Sequence, residues 1–312
     1  MSGLPHNRGH PLSPPISWRG GKRSILAEVL DRFPLEYDRY IEVFGGSGVT
    51  LFGKEPTSFE VWNDYNADLF NFYYCVKYRH LELLRELNFL PLNSRAEFFM
   101  LKDFLEGKAF PPEELNAETK LANEHFSETD AKTIISLMSE RCALGDVNRA
   151  VSFFKLNRLS YGAGMTTFSL QPCDLRRFYG YIHAAHDRLC EVVLENKDFQ
   201  DLIVKYDRPG AFFYADPPYY MAESVYAVEF SQADHHRLFE ALTNIQGKWL
   251  LSYNDDAFVR ALYRDFHQYQ FTRLSNLVQR YESGAQYGEI LISNYDMDER
   301  GKQHEQLKFI FE

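Results

Sequence analysis

Asp216, Pro217, Pro218 and Tyr219 follow directly on the apolar run Phe212-Phe213-Tyr214-Ala215, and in that order they can polarise a flat amine. Four apolar or aromatic residues in a row read as a buried parallel strand. Asp216 then falls at the strand's C-terminal end, the edge at which open α/β sheets bind ligands. Prolines have a fixed φ and no N–H to donate, so the pair stops strand pairing. It leaves the Asp216 carboxylate and the Pro217 carbonyl as rigid acceptors with Tyr219 beside them. The exocyclic amine of a nucleobase is a poor nucleophile because its lone pair is delocalised into the ring. Two acceptors that take its hydrogens draw the nitrogen towards tetrahedral, while an aromatic side chain stacks on the base. An ordinary loop aspartate before a Pro-Pro stop would look the same in isolation, so the surrounding elements decide.

Those elements alternate as an α/β sheet requires. Tyr40 to Phe44 reads as a short strand, and Gly45-Gly46-Ser47-Gly48 follows at once; a glycine-rich turn after a first strand lets backbone approach a nucleotide. A second strand, Phe59 to Trp62, ends in Asn63-Asp64. Asp64 lies twenty residues past Phe44, the distance at which an acid holds ribose hydroxyls. The turn lacks the full G-x-G-x-x-G pattern of dinucleotide binders, and Asp64 reads equally as the cap of a helix starting near Asn66. Upstream, Trp18-Arg19-Gly20-Gly21-Lys22 opens a helix from Ser24 to Phe33 with apolar residues at helical spacing. Downstream come a helix ending near Leu189, the strand Glu191–Leu194, a helix start at Phe230-Ser231, the strand Lys248–Tyr253, and two closing antiparallel strands, Gln268–Leu274 and Gly288–Tyr295. His235 and His236 are adjacent and cannot share a helix face as a metal pair would, so they read as helix surface and no metal is expected.

At this point Asp216-Pro217-Pro218-Tyr219 resembles the catalytic signature of the DNA N6-adenine methyltransferases. The block order resembles the Dam-like branch (D12 class, alpha group): a cofactor-binding segment, a DNA-reading insert, then the catalytic motif. The resemblance runs from Ser17 to about Tyr295 and includes the Glu289–Tyr295 ending. It implies a Rossmann-like sheet dependent on S-adenosyl-L-methionine. Trp18 would then offer the cofactor an aromatic surface, with Gly21 beside it and Lys22 as a polar contact. Glu42, Phe44, Gly45, Gly46, Ser47 and Gly48 would pass beneath the methionine moiety, Asp64 would hold the ribose, and Asp198 and Phe199 would embrace the adenine next to Asp216. The plain counterparts are a buried tryptophan at a Gly-Gly helix start, a surface acid and a core phenylalanine.

Composition bounds these readings. A chain of 312 residues with 45% apolar content can bury a full core and suits one large domain with an insertion or two domains. The sequence has no apolar run near the roughly 18 residues of a membrane span and no secretory leader, so the expected compartment is the cytoplasm. Cys75, Cys142, Cys173 and Cys190 are widely separated and read as packing residues. A net charge of -10 argues against a generic nucleic-acid binder. The charge is nevertheless segregated: residues 106–130 carry seven acids against two lysines, whereas residues 141–181 carry six basic residues against two acids, a balance of +4.

Residues 1–16, rich in proline and glycine, are expected to be a flexible lead-in. The catalytic domain is read as 17–84 plus 179–312, and the target-recognition insert as 85–178, largely helical. Within the insert Val151 to Phe168 has the glycine-turned, aromatic look of a hairpin, with Arg158 and Tyr161 flanking the turn. Arg158, Tyr161, Arg176 and Arg177 are the candidate DNA contacts. The reading is therefore an α/β methyltransferase acting on adenine N6 in double-stranded DNA, with no membrane partner; a cognate restriction nuclease is compatible with it. The alternatives are an RNA or other planar-amine methyltransferase, or a non-catalytic DNA-binding regulator with this fold.

Overall fold

The structure, a computed structural model, describes residues 12–18, 20–87, 94–106, 120, 123–133, 146–169, 174–220, 230–274 and 286–299. Its chain forms two compact units: Met1–Pro14, Gly20–Asn66 and Glu191–Glu312 make the first, and Pro15–Arg19 with Ala67–Cys190 the second.

The first unit is built on a seven-stranded sheet. Its strands are β1 (Arg39–Glu42), β2 (Phe59–Asn63), β3 (Val192–Glu195), β4 (Ala211–Ala215), β5 (Lys248–Asn254), β6 (His267–Leu274) and β7 (Gln286–Ser293), in the order β3-β2-β1-β4-β5-β7-β6. The first five pair in parallel; β7 is antiparallel to both β5 and β6. This is the α/β sheet that the alternation predicts. Every residue of β4 is buried, as a central parallel strand covered on both faces must be. One apolar layer joins Ile41, Phe213, Trp249, Leu251, Ile290 and Ile292 with Leu202 and Leu238. The last two come from helices α8 (Phe199–Tyr206) and α9 (Gln232–Thr243); α1 (Leu26–Asp31), α2 (Val49–Gly53) and α10 (Ala257–Leu262) complete the unit's helices among the described residues. Strand order reverses between β1 and β4, so their C-terminal ends form a crevice of the kind in which such sheets bind ligands.

Among the described residues the second unit is helical: α3 (Ala67–Tyr78), α4 (His80–Leu87), α5 (Arg95–Leu105), α6 (Val147–Leu159) and α7 (Tyr179–Leu189). Phe98, Leu156 and Leu159 form a small core with Phe168 against it. The unit is wider than the insert read from sequence, because α3 and α4 pack with α6 and with each other, and α7 packs with α3 and α4. Three expectations are corrected here. Val151 to Leu159 is helix, capped by Asp146, whose side chain accepts from the Arg149 N–H. What remains of the hairpin is one bridge, Ser160 to Phe168, around Gly162 at φ 60°. The apolar spacing there suits either period, and packing of Phe153 and Phe154 on Phe72 of α3 selects the helix. Residues 12–16 are not a loose lead-in: the Leu12 N–H donates to the Phe52 carbonyl, and Pro14, Pro15 and Ile16 are buried. Cys190 is exposed rather than packed; Cys75 is buried, and Cys142 and Cys173 lie outside the described residues.

Candidate active site

β4 delivers Asp216 to the crevice, and the structure supplies it with a cation. The Lys22 Nζ lies 2.5 Å from Asp216 Oδ1, with the lysine 3% and the aspartate 17% exposed. The same ammonium donates to the Gly20 carbonyl at 3.1 Å and stands 4.6 Å from the centroid of the Tyr219 ring. Gly20 has φ 78°, a left-handed turn that glycine takes without strain, and Lys22 opens the 3-10 turn Lys22–Ile25 that follows it. A buried ammonium needs such partners, since removing it from water costs several kcal/mol.

The rest of the motif is fixed from behind. Pro217 and Tyr219 are buried, Pro218 and Tyr220 half-buried. The Tyr219 hydroxyl donates to a carboxylate oxygen of Glu289, itself buried in β7. The Asn254 side-chain amide donates to the Tyr220 carbonyl at 3.4 Å, and the Tyr220 ring stacks on Phe258 at 4.4 Å. His235 corrects the surface reading: it is 1% exposed, with Nδ1 2.5 Å from the Tyr253 hydroxyl, and the Tyr253 ring lies 6.2 Å from that of Tyr219. Its neighbour His236 is exposed. Among the described residues no cluster of His, Cys, Asp or Glu has metal-holding geometry.

The nucleotide half of the crevice follows β1 and β2. A Cβ on Gly45 would lie 2.0 Å from Trp62 Nε1, so only glycine lets the turn run over the indole. Gly46 and Gly48 have φ of 51° and 70°, which also favours glycine. Asp64 Oδ2 accepts from the Gly46 N–H at 2.8 Å and Oδ1 from the Asn66 N–H at 2.8 Å. Burial pushes its carboxyl up to about 6, against the pull of those two bonds. The carboxylate therefore both ties the turn and caps the chain ahead of α3. Each oxygen retains a lone pair for a hydroxyl. Glu42 is buried with the Tyr40 hydroxyl donating to it at 3.1 Å; burial, the largest cause, pushes it up to about 8, and nearby Asp216 adds to the rise. Ser47 is buried and Phe44 half-buried, the latter 5.7 Å from the rings of both Phe199 and Phe230.

Asp198 caps α8, accepting from the Gln200 N–H at 2.9 Å, and also accepts from Arg237 at 2.9 Å. Phe199 is 6% exposed with the Arg237 guanidinium 4.8 Å over its ring. Sequence reasoning missed several residues that hold this region. Asn63 joins three strand ends, donating to the Val43 and Lys197 carbonyls and accepting from the Lys197 N–H. Arg237 carries no local signal, and Glu289 is legible only as part of the closing strand, although an acid beside the apolar run Ile-Leu-Ile is a visible anomaly.

The remaining candidates lie in the helical unit. Trp18 packs 6.2 Å from Phe153. Arg158, at the end of α6 rather than in a hairpin, donates from Nε to the Pro15 carbonyl at 2.8 Å and from a terminal nitrogen to Ser17 Oγ at 3.0 Å. It also lies 4.1 Å over Phe178. Tyr161 is 49% exposed. Arg176 is exposed and bidentate with Asp174; Arg177 is exposed over Phe178 at 4.9 Å.

The model of one protein family, described as D12 class N6 adenine-specific DNA methyltransferase, matches residues 18–277 of the chain.

Proposed function

The chain belongs to the D12 class of N6 adenine-specific DNA methyltransferases, and from that membership we propose how its residues divide the work. Asp216 and the Pro217 carbonyl take the two hydrogens of the target amine, and Tyr219 stacks on its ring. The observation that carries this is the rigid strand-end acceptor pair, backed by buried Lys22 and braced by Glu289, Tyr253 and Asn254. Lys22 engages one oxygen of Asp216, and the other oxygen serves the amine.

Inside a duplex the amine is paired, so the adenine leaves the stack to reach Asp216. That costs a few kcal/mol, and stacking on Tyr219, worth roughly 1–3 kcal/mol, offsets much of it. S-adenosyl-L-methionine, when bound, supplies an electrophilic methyl on a sulfonium. By taking the two hydrogens, Asp216 and the Pro217 carbonyl free the nitrogen's lone pair for that methyl, and they hold the proton that the methylated nitrogen would then release. Because the methyl is reactive, positioning and polarisation suffice. Glu42, Phe44 and the Gly45–Gly48 turn line the methionine side, Asp64 holds the ribose, Asp198 and Phe199 flank the adenine, and Gly21 borders the cofactor. What supports this fit is the backbone laid open by Gly45, Gly46 and Gly48 beside a carboxylate with spare lone pairs. In the helical unit Arg158, Tyr161, Arg176 and Arg177 face the DNA. A cytoplasmic location and a cognate nuclease belong to the same reading. No described helix is long and apolar enough to cross a membrane.

Transfer of labelled methyl from S-adenosyl-L-methionine to duplex DNA, single-stranded DNA and RNA tests this. N6-methyladenine in the duplex is the expected product; label on RNA alone would overturn the substrate. Sequencing modified bases in a host expressing the chain then identifies the target site.

A further inference from the structure

β7 reads Gln-Tyr-Gly-Glu-Ile-Leu-Ile-Ser, and its one acid sits where an acid is expensive. Glu289 is 1% exposed, and moving a carboxylate from water into a protein interior is unfavourable unless hydrogen bonds replace the missing hydration. Its neighbours Ile290 and Ile292 turn into the core layer, and alternation along a strand sends Glu289 to the opposite face. There it pairs in register with Asn254 of β5 and Phe271 of β6. Its carboxylate accepts a hydrogen bond from the hydroxyl of Tyr219, seventy positions earlier.

We propose that Glu289 is a positioning residue for base methylation, setting both the angle and the electron density of the Tyr219 ring. Tyr219 follows two prolines that fix the backbone before it, but a tyrosine ring still turns about two side-chain bonds. A hydroxyl tied to a buried strand removes that freedom, so the ring waits in the orientation the base must meet. The second effect is electronic. A phenol donating to a carboxylate gains partial phenolate character, which makes the ring face more negative. A negative face attracts cations, and Lys22 already stands 4.6 Å over this ring. An electron-rich face also favours a target nitrogen that becomes positive as the methyl is transferred. Glu289 thus acts on the reaction through Tyr219 and touches neither base nor methyl.

This inference rests on Tyr219 being the stacking platform for the target base, so the test separates the two. Glu289→Gln keeps an acceptor but removes the charge, Tyr219→Phe keeps the ring but removes the hydroxyl, and Tyr219→Ala removes the platform. Each is assayed for kcat and KM on duplex DNA, and for the fluorescence of 2-aminopurine at the target position, which stacking quenches. The expected result is a roughly tenfold fall in kcat for both Glu289→Gln and Tyr219→Phe, with KM for DNA little changed. In the double variant the two effects do not add, because both act through one bond. The Tyr219→Ala variant loses the quench entirely and far more activity. Wild-type kcat in Tyr219→Phe overturns the role of Glu289 whether or not Glu289→Gln folds, and additive effects in the double variant overturn it too. If instead Tyr219→Ala retains activity and quench, the platform assignment itself fails.

Discussion

Lys22 and Asp216 form a buried ion pair at 2.5 Å on the C-terminal edge of the sheet, so the candidate acceptor carboxylate is also one half of a structural pair. The two roles can be separated by choice of substitution.

Asp216→Ala leaves the Lys22 ammonium without its carboxylate in a site that is only 3% exposed. Breaking a buried pair from one side costs about 3–5 kcal/mol, with a lower figure expected here because Asp216 is partly open to water. Loss of activity in that variant therefore mixes chemistry with stability. Asp216→Asn keeps an acceptor oxygen and most of the shape. It is expected to lower the methylation rate by on the order of 10²–10³, as removal of one polarising interaction does, with a smaller fall in Tm than Asp216→Ala. Near-normal turnover in Asp216→Asn would remove the carboxylate from the mechanism.

The Asp64 carboxyl, pushed by burial up to about 6, is ionised at neutral pH and becomes protonated below that value. If it accepts from ribose hydroxyls, affinity for S-adenosyl-L-methionine falls as pH drops through 6, since a protonated acid gives up acceptor capacity. Cofactor binding should raise Tm by ligand linkage, and Asp64→Ala should shrink that rise at pH 7.5. Asp64→Asn should remove the pH dependence. Thermal melts with and without cofactor at pH 5.5 and 7.5 read all of this; a larger shift from a nicotinamide or a nucleoside triphosphate would redirect the site to another ligand.

Glu42 carries a stability consequence of opposite sense to the usual acid. Its carboxyl is raised from 4.5 to about 8, so between those values the folded chain keeps a proton that the unfolded chain has released. Stability linked to this group therefore falls as pH rises from 4.5 to 8 and is lowest above 8. The total is on the order of a few kcal/mol. Glu42→Gln carries no titrating proton, so urea unfolding of that variant should show a flatter decline from pH 5 to 8.5 and higher stability than the parent at the alkaline end. An identical pH profile in both proteins would show that Glu42 is not held protonated.

Much of the local geometry of this candidate site was legible because its parts are strand ends. A buried run stopped by Pro217 and Pro218, and a glycine turn after β1, are local signals whose physics is complete within a few residues. The bracing was not legible for the opposite reason. Glu289 meets Tyr219 across seventy positions and Lys22 meets Asp216 across the whole insert, and neither pairing leaves a mark on local periodicity. His235 shows how a sound local rule fails: two adjacent histidines do point apart, but one of them, with Tyr253 beneath it, points inward. The α6 segment failed through ambiguity of period, where packing on α3 chose helix over hairpin.

That correction changes which residues can report on DNA. Read in a hairpin, Arg158 would be a base-reading side chain, expected to lose roughly 1–3 kcal/mol on the preferred site alone when replaced. On α6 its guanidinium instead bonds the Pro15 carbonyl and Ser17 Oγ and covers Phe178. Arg158→Ala should therefore lower Tm as well as any DNA affinity, and weaker binding in that variant is not by itself evidence that Arg158 touches DNA. Arg176 and Arg177 are the cleaner probes. Both are exposed; Arg176 pairs with Asp174 at the surface, where such pairs contribute little, and Arg177 lies over the Phe178 ring. If this face meets the phosphate backbone, Arg176→Glu with Arg177→Glu should leave Tm within a degree or two of the parent. The double variant should bind all duplex sequences more weakly and flatten the dependence of affinity on salt, by up to about 0.9 in slope for each phosphate that is no longer neutralised. Tyr161→Ala, which removes an exposed ring and no charge, should lower affinity without altering that slope. Titrations of a duplex at several salt concentrations discriminate these outcomes. An unchanged slope after both charge reversals, with the fold intact, would place the DNA on another face of the protein.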